Sequence, residues 1–209
     1  MPTAQGVRMR YLALGDSYTI GEGVESAARW PERLAATLCA QGIALDPPEI
    51  LATTGWTTDE LAAAIAAHRF TPPYDLVSLL IGVNDQYRGR SLDEYRPPFA
   101  QLLDTAIRFA GDSARRVIVV SIPDWGTTPF AASDPRGRAL IGAQIDAFNA
   151  AAREITQTRG AHFIDITAIS RSSPADETGW LADDGLHPGS AQYAAWAAAI
   201  AAAVRHTRP

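Results

Sequence analysis

A repeated change in hydrophobic period constrains this chain most. Short apolar runs of strand length alternate with longer amphipathic stretches almost from end to end. "MRYLAL", "PEILAT", "YDLVSLLIG", "RRVIVVSIP" and "AHFIDI" read as five strands. "RWPERLAATLCAQG", "TTDELAAAIAAHR", "SLDEYRPPFAQLLDTAIRFAG" and "GRALIGAQIDAFNAAAREITQTRG" read as the helices between them, and "GSAQYAAWAAAIAAAVRH" closes the chain as a buried helix. In the first of these, Leu34 and Leu38 are four apart and Gly42 suits a C-terminal cap. Thr57 with Glu60, and Ser91 with Glu94, have the spacing of capping boxes. Pro97 and Pro98 predict a displaced start for the helix that Ser91 would open.

Parallel strands need crossovers, and helices supply them. The alternation therefore predicts an α/β fold: a three-layer α/β/α sandwich around a mostly parallel five-stranded sheet. No repeat or linker divides residues 1–209, so one domain is expected. In such sheets the ligand site lies beyond the carboxyl ends of the strands. The loops beginning at Gly15, Thr53, Gly82 and Ile166 are the places to look for chemistry.

Each loop is ambiguous alone. "GDSYTIGEG" offers Ser17, a weak nucleophile until a base takes its proton, and equally a turn-capping serine. "TTGWTT" offers Gly55, whose N–H can approach a ligand or merely shape a turn. "IGVND" offers the amide of Asn84 as a donor for a developing oxyanion, with Asp85 fixing the loop; an Asx-turn fits as well. "ADDGLHP" offers His187 with Asp184 three residues before it, a spacing that lets the carboxylate reach the near ring nitrogen. His68, His162 and His206 have no carboxylate at a useful spacing in a strand-end loop and read as structural or surface residues.

The formal charge of −5 argues against nucleic acid or an anionic membrane as the main partner. The Ala-rich tail falls short of the ~20 apolar residues of a membrane span. "MPTAQGVRMR" leaves no room for a secretory signal, so a cytoplasmic address is expected. Cys39, the one cysteine, is expected as a buried structural thiol.

Taken together, "GDSYTIGEG", "TTGWTT", "IGVND" and "DGLHP" resemble, in order and content, the four blocks of the SGNH hydrolases, also called the GDSL esterase/lipase family. The resemblance spans Gly15 to Pro188 and departs at Tyr18, where the family most often has Leu. It implies a flavodoxin-like SGNH-hydrolase fold and a Ser17–His187–Asp184 triad. The oxyanion hole would comprise the backbone N–H groups of Ser17 and Gly55 and the side-chain amide of Asn84. It implies hydrolysis of acyl esters through an acyl-enzyme, with no metal or organic cofactor. The family also covers thioesters, lysophospholipids and acetylated sugars, and fold and triad do not choose among them.

Two rivals fit less of the chain. A metal-dependent phosphatase would use Asp16, Asp85, Asp183 and Asp184 as oxygen ligands. A flavodoxin-like binding module would cradle a flavin phosphate in "GDSYTIGEG" but leaves the other blocks unexplained. Tyr18, Ile20, Trp56, Trp125 and Phe130 are candidates for an acyl pocket, or for ordinary packing of loop onto core. The long connection "PDWGTTPFAASDPRG" is a candidate for shaping specificity or closing over the site, and short to medium acyl chains are expected.

Overall fold

A computed structural model describes residues 8–172 and 178–206. Five strands are present: β1 (Tyr11–Gly15), β2 (Glu49–Ala52), β3 (Leu76–Leu80), β4 (Val117–Val120) and β5 (His162–Ile164). They form one sheet in the order β2-β1-β3-β4-β5, and every pairing is parallel. β1, β3 and β4 are wholly buried, which explains their unbroken apolar runs. The edge strands are half-buried along much of their length.

The helices are α1 (Ser17–Ile20), α2 (Trp30–Ala40), α3 (Thr58–Ala67), α4 (Val83–Tyr87), α5 (Leu92–Phe109), α6 (Gly137–Thr158), α7 (Thr167–Arg171) and α8 (Ser190–His206). Parallel crossovers are right-handed, so the direction of each step across the sheet decides which face its helix covers. The step from β1 to β2 runs one way, and the steps to β3, β4 and β5 run the other. α2 accordingly lies on one face, where α8 packs against it, while α3, α5 and α6 line up on the other. The reversal between β1 and β3 opens a crevice at their carboxyl ends, the place where such sheets bind ligands.

Tyr193, Trp196, Ala197, Ile200, Ala201 and Val204 are buried on one stripe of α8, so the Ala-rich tail is a core helix. Among the described residues, no helix is long and apolar enough to cross a membrane.

Two expectations fail. Cys39 is exposed. The buried stripe of α2 runs through Trp30, Leu34 and Leu38, and the next residue is turned about 100° away from it. The Cys39 sulfur meets the backbone of Leu45 instead, with N–H at 3.3 Å and carbonyl at 3.2 Å. Pro97 and Pro98 do not displace the start of α5 and lie inside it. The Ser91 hydroxyl accepts from the Glu94 N–H at 3.3 Å, and the Glu94 carboxylate accepts from the Ser91 N–H at 2.8 Å. That box, with the buried stripe of Tyr95, Phe99, Leu102, Leu103 and Ala106, offsets the two donors the prolines remove.

Candidate active site

At the end of β1 the chain turns sharply. A Cβ on Gly15 would lie 2.2 Å from the Thr19 hydroxyl oxygen and 2.5 Å from the Leu80 carbonyl oxygen, so only glycine fits. Asp16 caps α1, its carboxylate accepting from the Tyr18 N–H at 3.0 Å. Burial pushes the Asp16 carboxyl up to about 8, against the opposing effect of that N–H. Ser17 is therefore the first residue of a short helix and is 4% exposed. Among the described residues, neither its hydroxyl nor its backbone N–H has a hydrogen-bond partner.

The loop after β2 brings up Gly55 in a left-handed conformation, φ 85°. Its carbonyl is turned outward and accepts from Arg88 Nη2 at 2.7 Å. Its N–H donates to no other described residue.

The loop after β3 is also helical. Gly82 opens α4, and Asn84 sits in its first turn. Asn84 Nδ2 donates to the Trp56 carbonyl at 2.9 Å, which uses one of its two hydrogens and orients the amide. Asp85 is fully buried and binds Thr58 at the start of α3, through its N–H at 3.0 Å and its hydroxyl at 2.8 Å. Arg90 donates to the same carboxylate at 3.0 Å. Burial raises the Asp85 carboxyl above its ordinary range, and the Thr58 donors hold it back.

The last edge loop is a tight reversal. Ala182 N–H donates to the His187 carbonyl at 2.8 Å, and Gly185 N–H donates to the Ala182 carbonyl at 3.0 Å. The reversal folds Asp184 back onto His187. Asp184 Oδ2 lies 2.5 Å from His187 Nδ1, and Asp184 Oδ1 accepts from the Leu186 and His187 N–H groups at 2.9 Å each. Burial alone would raise the Asp184 carboxyl, but its bonds to His187 and Leu186 outweigh it and hold the group below the usual range. His187 is 7% exposed, and with Nδ1 engaged its other nitrogen is the one left for proton transfer.

Ser17, Gly55, Asn84 and His187 all line one cavity of about 160 Å³. Its remaining wall is mainly apolar: Tyr18, Val83, Tyr87, Trp125, Phe130 and Leu186, with Thr54 on the polar side. The connection after β4 supplies Trp125 and Phe130. It folds into two 3₁₀ turns, Trp125–Thr127 and Pro129–Ser133. Trp125 Nε1 donates to Gln86 Oε1 at 2.9 Å, and the Phe130 N–H donates to the Gly185 carbonyl at 3.1 Å. This segment is thus tied to the loops on both sides of the cavity.

Of the expected pocket residues, Tyr18, Trp125 and Phe130 line the cavity. Ile20 and Trp56 do not. Ile20 ends α1, and Trp56 packs on the core while its carbonyl orients Asn84. Asp183 is exposed, and among the described residues it is Asp184 that bonds the histidine ring. His68 is exposed beside Glu49, and His162 opens β5. The side chain of His206 lies outside the described residues. Among the described residues, no group of three or more His, Cys, Asp or Glu could hold a metal ion. Sequence reasoning missed Tyr87. It lies at the end of α4, too short for a visible period, and is 47% exposed on the cavity rim.

The GDSL-like lipase/acylhydrolase family matches residues 13–195. Solved structures with the same fold include TesA, with TM-score 0.72 and 18% identity over 95% of this chain and 99% of that one. The acetylxylan esterase Axe2 from Geobacillus stearothermophilus gives TM-score 0.69 and 18% identity over 94% of each chain. The lipase/acylhydrolase from Enterococcus faecalis gives 0.66 and 22%, over 95% of this chain and 96% of that one. No curated protein matches in sequence. At these identities the structural likenesses speak to the fold alone.

Proposed function

From the premise that this chain belongs to the GDSL-like lipase/acylhydrolase family and is a hydrolase, we propose that it is a serine esterase acting on carboxylic esters of short to medium acyl chains. Ser17 Oγ attacks the acyl carbonyl while His187 Nε2 takes its proton. Asp184 keeps the imidazole in the tautomer that accepts that proton and stabilises the cation that forms. The oxyanion accepts from the Ser17 and Gly55 N–H groups and from the uncommitted hydrogen of Asn84. Collapse expels the alcohol, which takes the proton from His187 and leaves an acyl-enzyme on Ser17. Water, deprotonated by His187, then attacks the acyl carbon, and Ser17 leaves with the proton returned to it.

The observation that carries this reading is the 2.5 Å contact of Asp184 with His187 on the wall of a cavity that also holds Ser17, Gly55 and Asn84. Two backbone N–H groups of that cavity's lining residues, unpartnered among the described residues, suit an oxyanion, whereas a metal-dependent phosphatase would call for clustered carboxylates. The apolar wall of Trp125, Phe130, Tyr87 and Leu186 suits an acyl chain. Trp125 is buried in that wall, and a cavity of about 160 Å³ favours the shorter chains.

The test is a rate profile over p-nitrophenyl esters from acetate to palmitate, repeated with Ser17→Ala. Turnover should peak at short or medium chains and vanish in the variant while its melting curve stays unchanged. Full activity in Ser17→Ala would overturn the mechanism, and a maximum at palmitate would overturn the chain-length reading.

A further inference from the structure

We propose that Tyr18, the residue after the nucleophile, is a positioning residue for His187; the inference rests on the reading of Ser17, His187 and Asp184 given above. The Tyr18 and His187 ring centroids are 5.4 Å apart with their planes at 57°. Tyr18 is 3% exposed and is backed in turn by Trp196 of α8, centroid to centroid 6.2 Å at 52°. Trp196 is fully buried and set edge-on against Tyr193 at 5.2 Å and 89°. The histidine therefore leans on an aromatic column that ends in the core.

That support does what Asp184 cannot do alone. One hydrogen bond at Nδ1 fixes a point on the imidazole but leaves the ring free to swing about the bond. A rigid ring packed beside it removes that freedom and keeps the other nitrogen aimed into the cavity. An aromatic ring within ~6 Å also attracts the imidazolium that forms when Ser17 is deprotonated.

The placement has a second effect. Ser17 and Tyr18 are consecutive in α1, and Asp16 pins the Tyr18 N–H. One backbone turn thus sets both the nucleophile and the support of its base. The Tyr18 hydroxyl makes no hydrogen bond among the described residues, so the ring rather than the phenol oxygen should carry the role.

The experiment compares Tyr18→Leu, Tyr18→Phe, Ser17→Ala and a core variant outside the cavity lining, Leu34→Ala, on p-nitrophenyl butyrate, each with a thermal melt. Tyr18→Leu should lower kcat on the order of 10–100-fold, the scale of a small misplacement of a reacting group, with KM within about twofold. Tyr18→Phe should restore kcat to within about threefold of the parent, and Leu34→Ala should keep the parent kcat below its melting temperature. Should the Leu protein fail to fold, Tyr18→Met takes its place. Unchanged kcat in the aliphatic variant overturns the inference, as does a Phe variant as slow as the aliphatic one. An equal loss in Leu34→Ala reduces the effect to stability and overturns it too. Activity surviving Ser17→Ala would instead sink the triad reading itself, so the two failures are distinct.

Discussion

The Asp85 carboxylate holds Thr58 twice, at the backbone N–H and at the hydroxyl, 27 residues away in the chain. Asp85 follows Asn84, and Thr58 lies three residues after Gly55. This buried clamp therefore sets the spacing between two of the proposed oxyanion donors, which belong to different loops.

Removing the clamp should cost both stability and rate. Asp85→Ala strands the two buried Thr58 donors, while Arg90 keeps Asp59 at 2.6 Å, and should lower unfolding free energy by about 2–4 kcal/mol. Asp85→Asn, which keeps one acceptor, should lose less. Urea melts give the stability, and kcat in the folded fraction should fall as well. An Ala variant as stable as the parent contradicts the clamp.

Asn84→Ala removes a donor from the oxyanion and should lower kcat on the order of 10²–10³, with little change in KM. Asn84→Asp should be no better, because an ionised carboxylate has no hydrogen to give. Steady-state kinetics on a short-chain ester decide this; a loss under tenfold would remove Asn84 from the hole.

The adjacent aspartates should separate cleanly. Asp184→Asn should cost on the order of 10³–10⁴ in kcat, because an amide can hold the wrong imidazole tautomer. Asp183→Asn, exposed and outside the contact, should leave kcat nearly unchanged. Equal losses in the two would mean that local charge, not the Asp184 contact, matters.

Asp16 should make the protein less stable as the solution becomes more alkaline. Its folded value is about 8, against ~3.9 for a free aspartate, so the native state binds the extra proton between those limits. Its stabilising contribution is complete below the unfolded value. It declines as pH rises and is lost once pH has passed through the folded value near 8. Asp16→Asn keeps a capping oxygen without the charge. Its melting temperature should gain on the parent steadily from pH 5 to about 8. Parallel curves would count against a raised Asp16.

The long strands and helices were legible because each keeps one period for long enough to be read. The Asp184–His187 pair was legible because four consecutive residues of one turn contain it. What escaped was short or turned a single residue away. α1, α4 and α7 span only four or five residues, so Ser17 and Asn84 read as loop residues although Ser17 opens α1 and Asn84 lies in the first turn of α4. Cys39 missed the buried stripe of α2 by one position. Ile20 and Trp56 lie close to the site in sequence but face elsewhere, and no periodicity reveals that. The Asp85–Thr58 bonds were invisible because nothing in either loop names its partner in the other.

The segment that carries Trp125 and Phe130 is moored at one end to Gln86, beside the asparagine loop, and at the other to Gly185, inside the histidine reversal. On the proposed reading, a bulky acyl group that forced this wall outward would pull on the turn that holds His187. The proposed function would then gear substrate width to the alignment of the base, and widening the pocket for larger esters would call for compensating changes at Gly185 or Gln86.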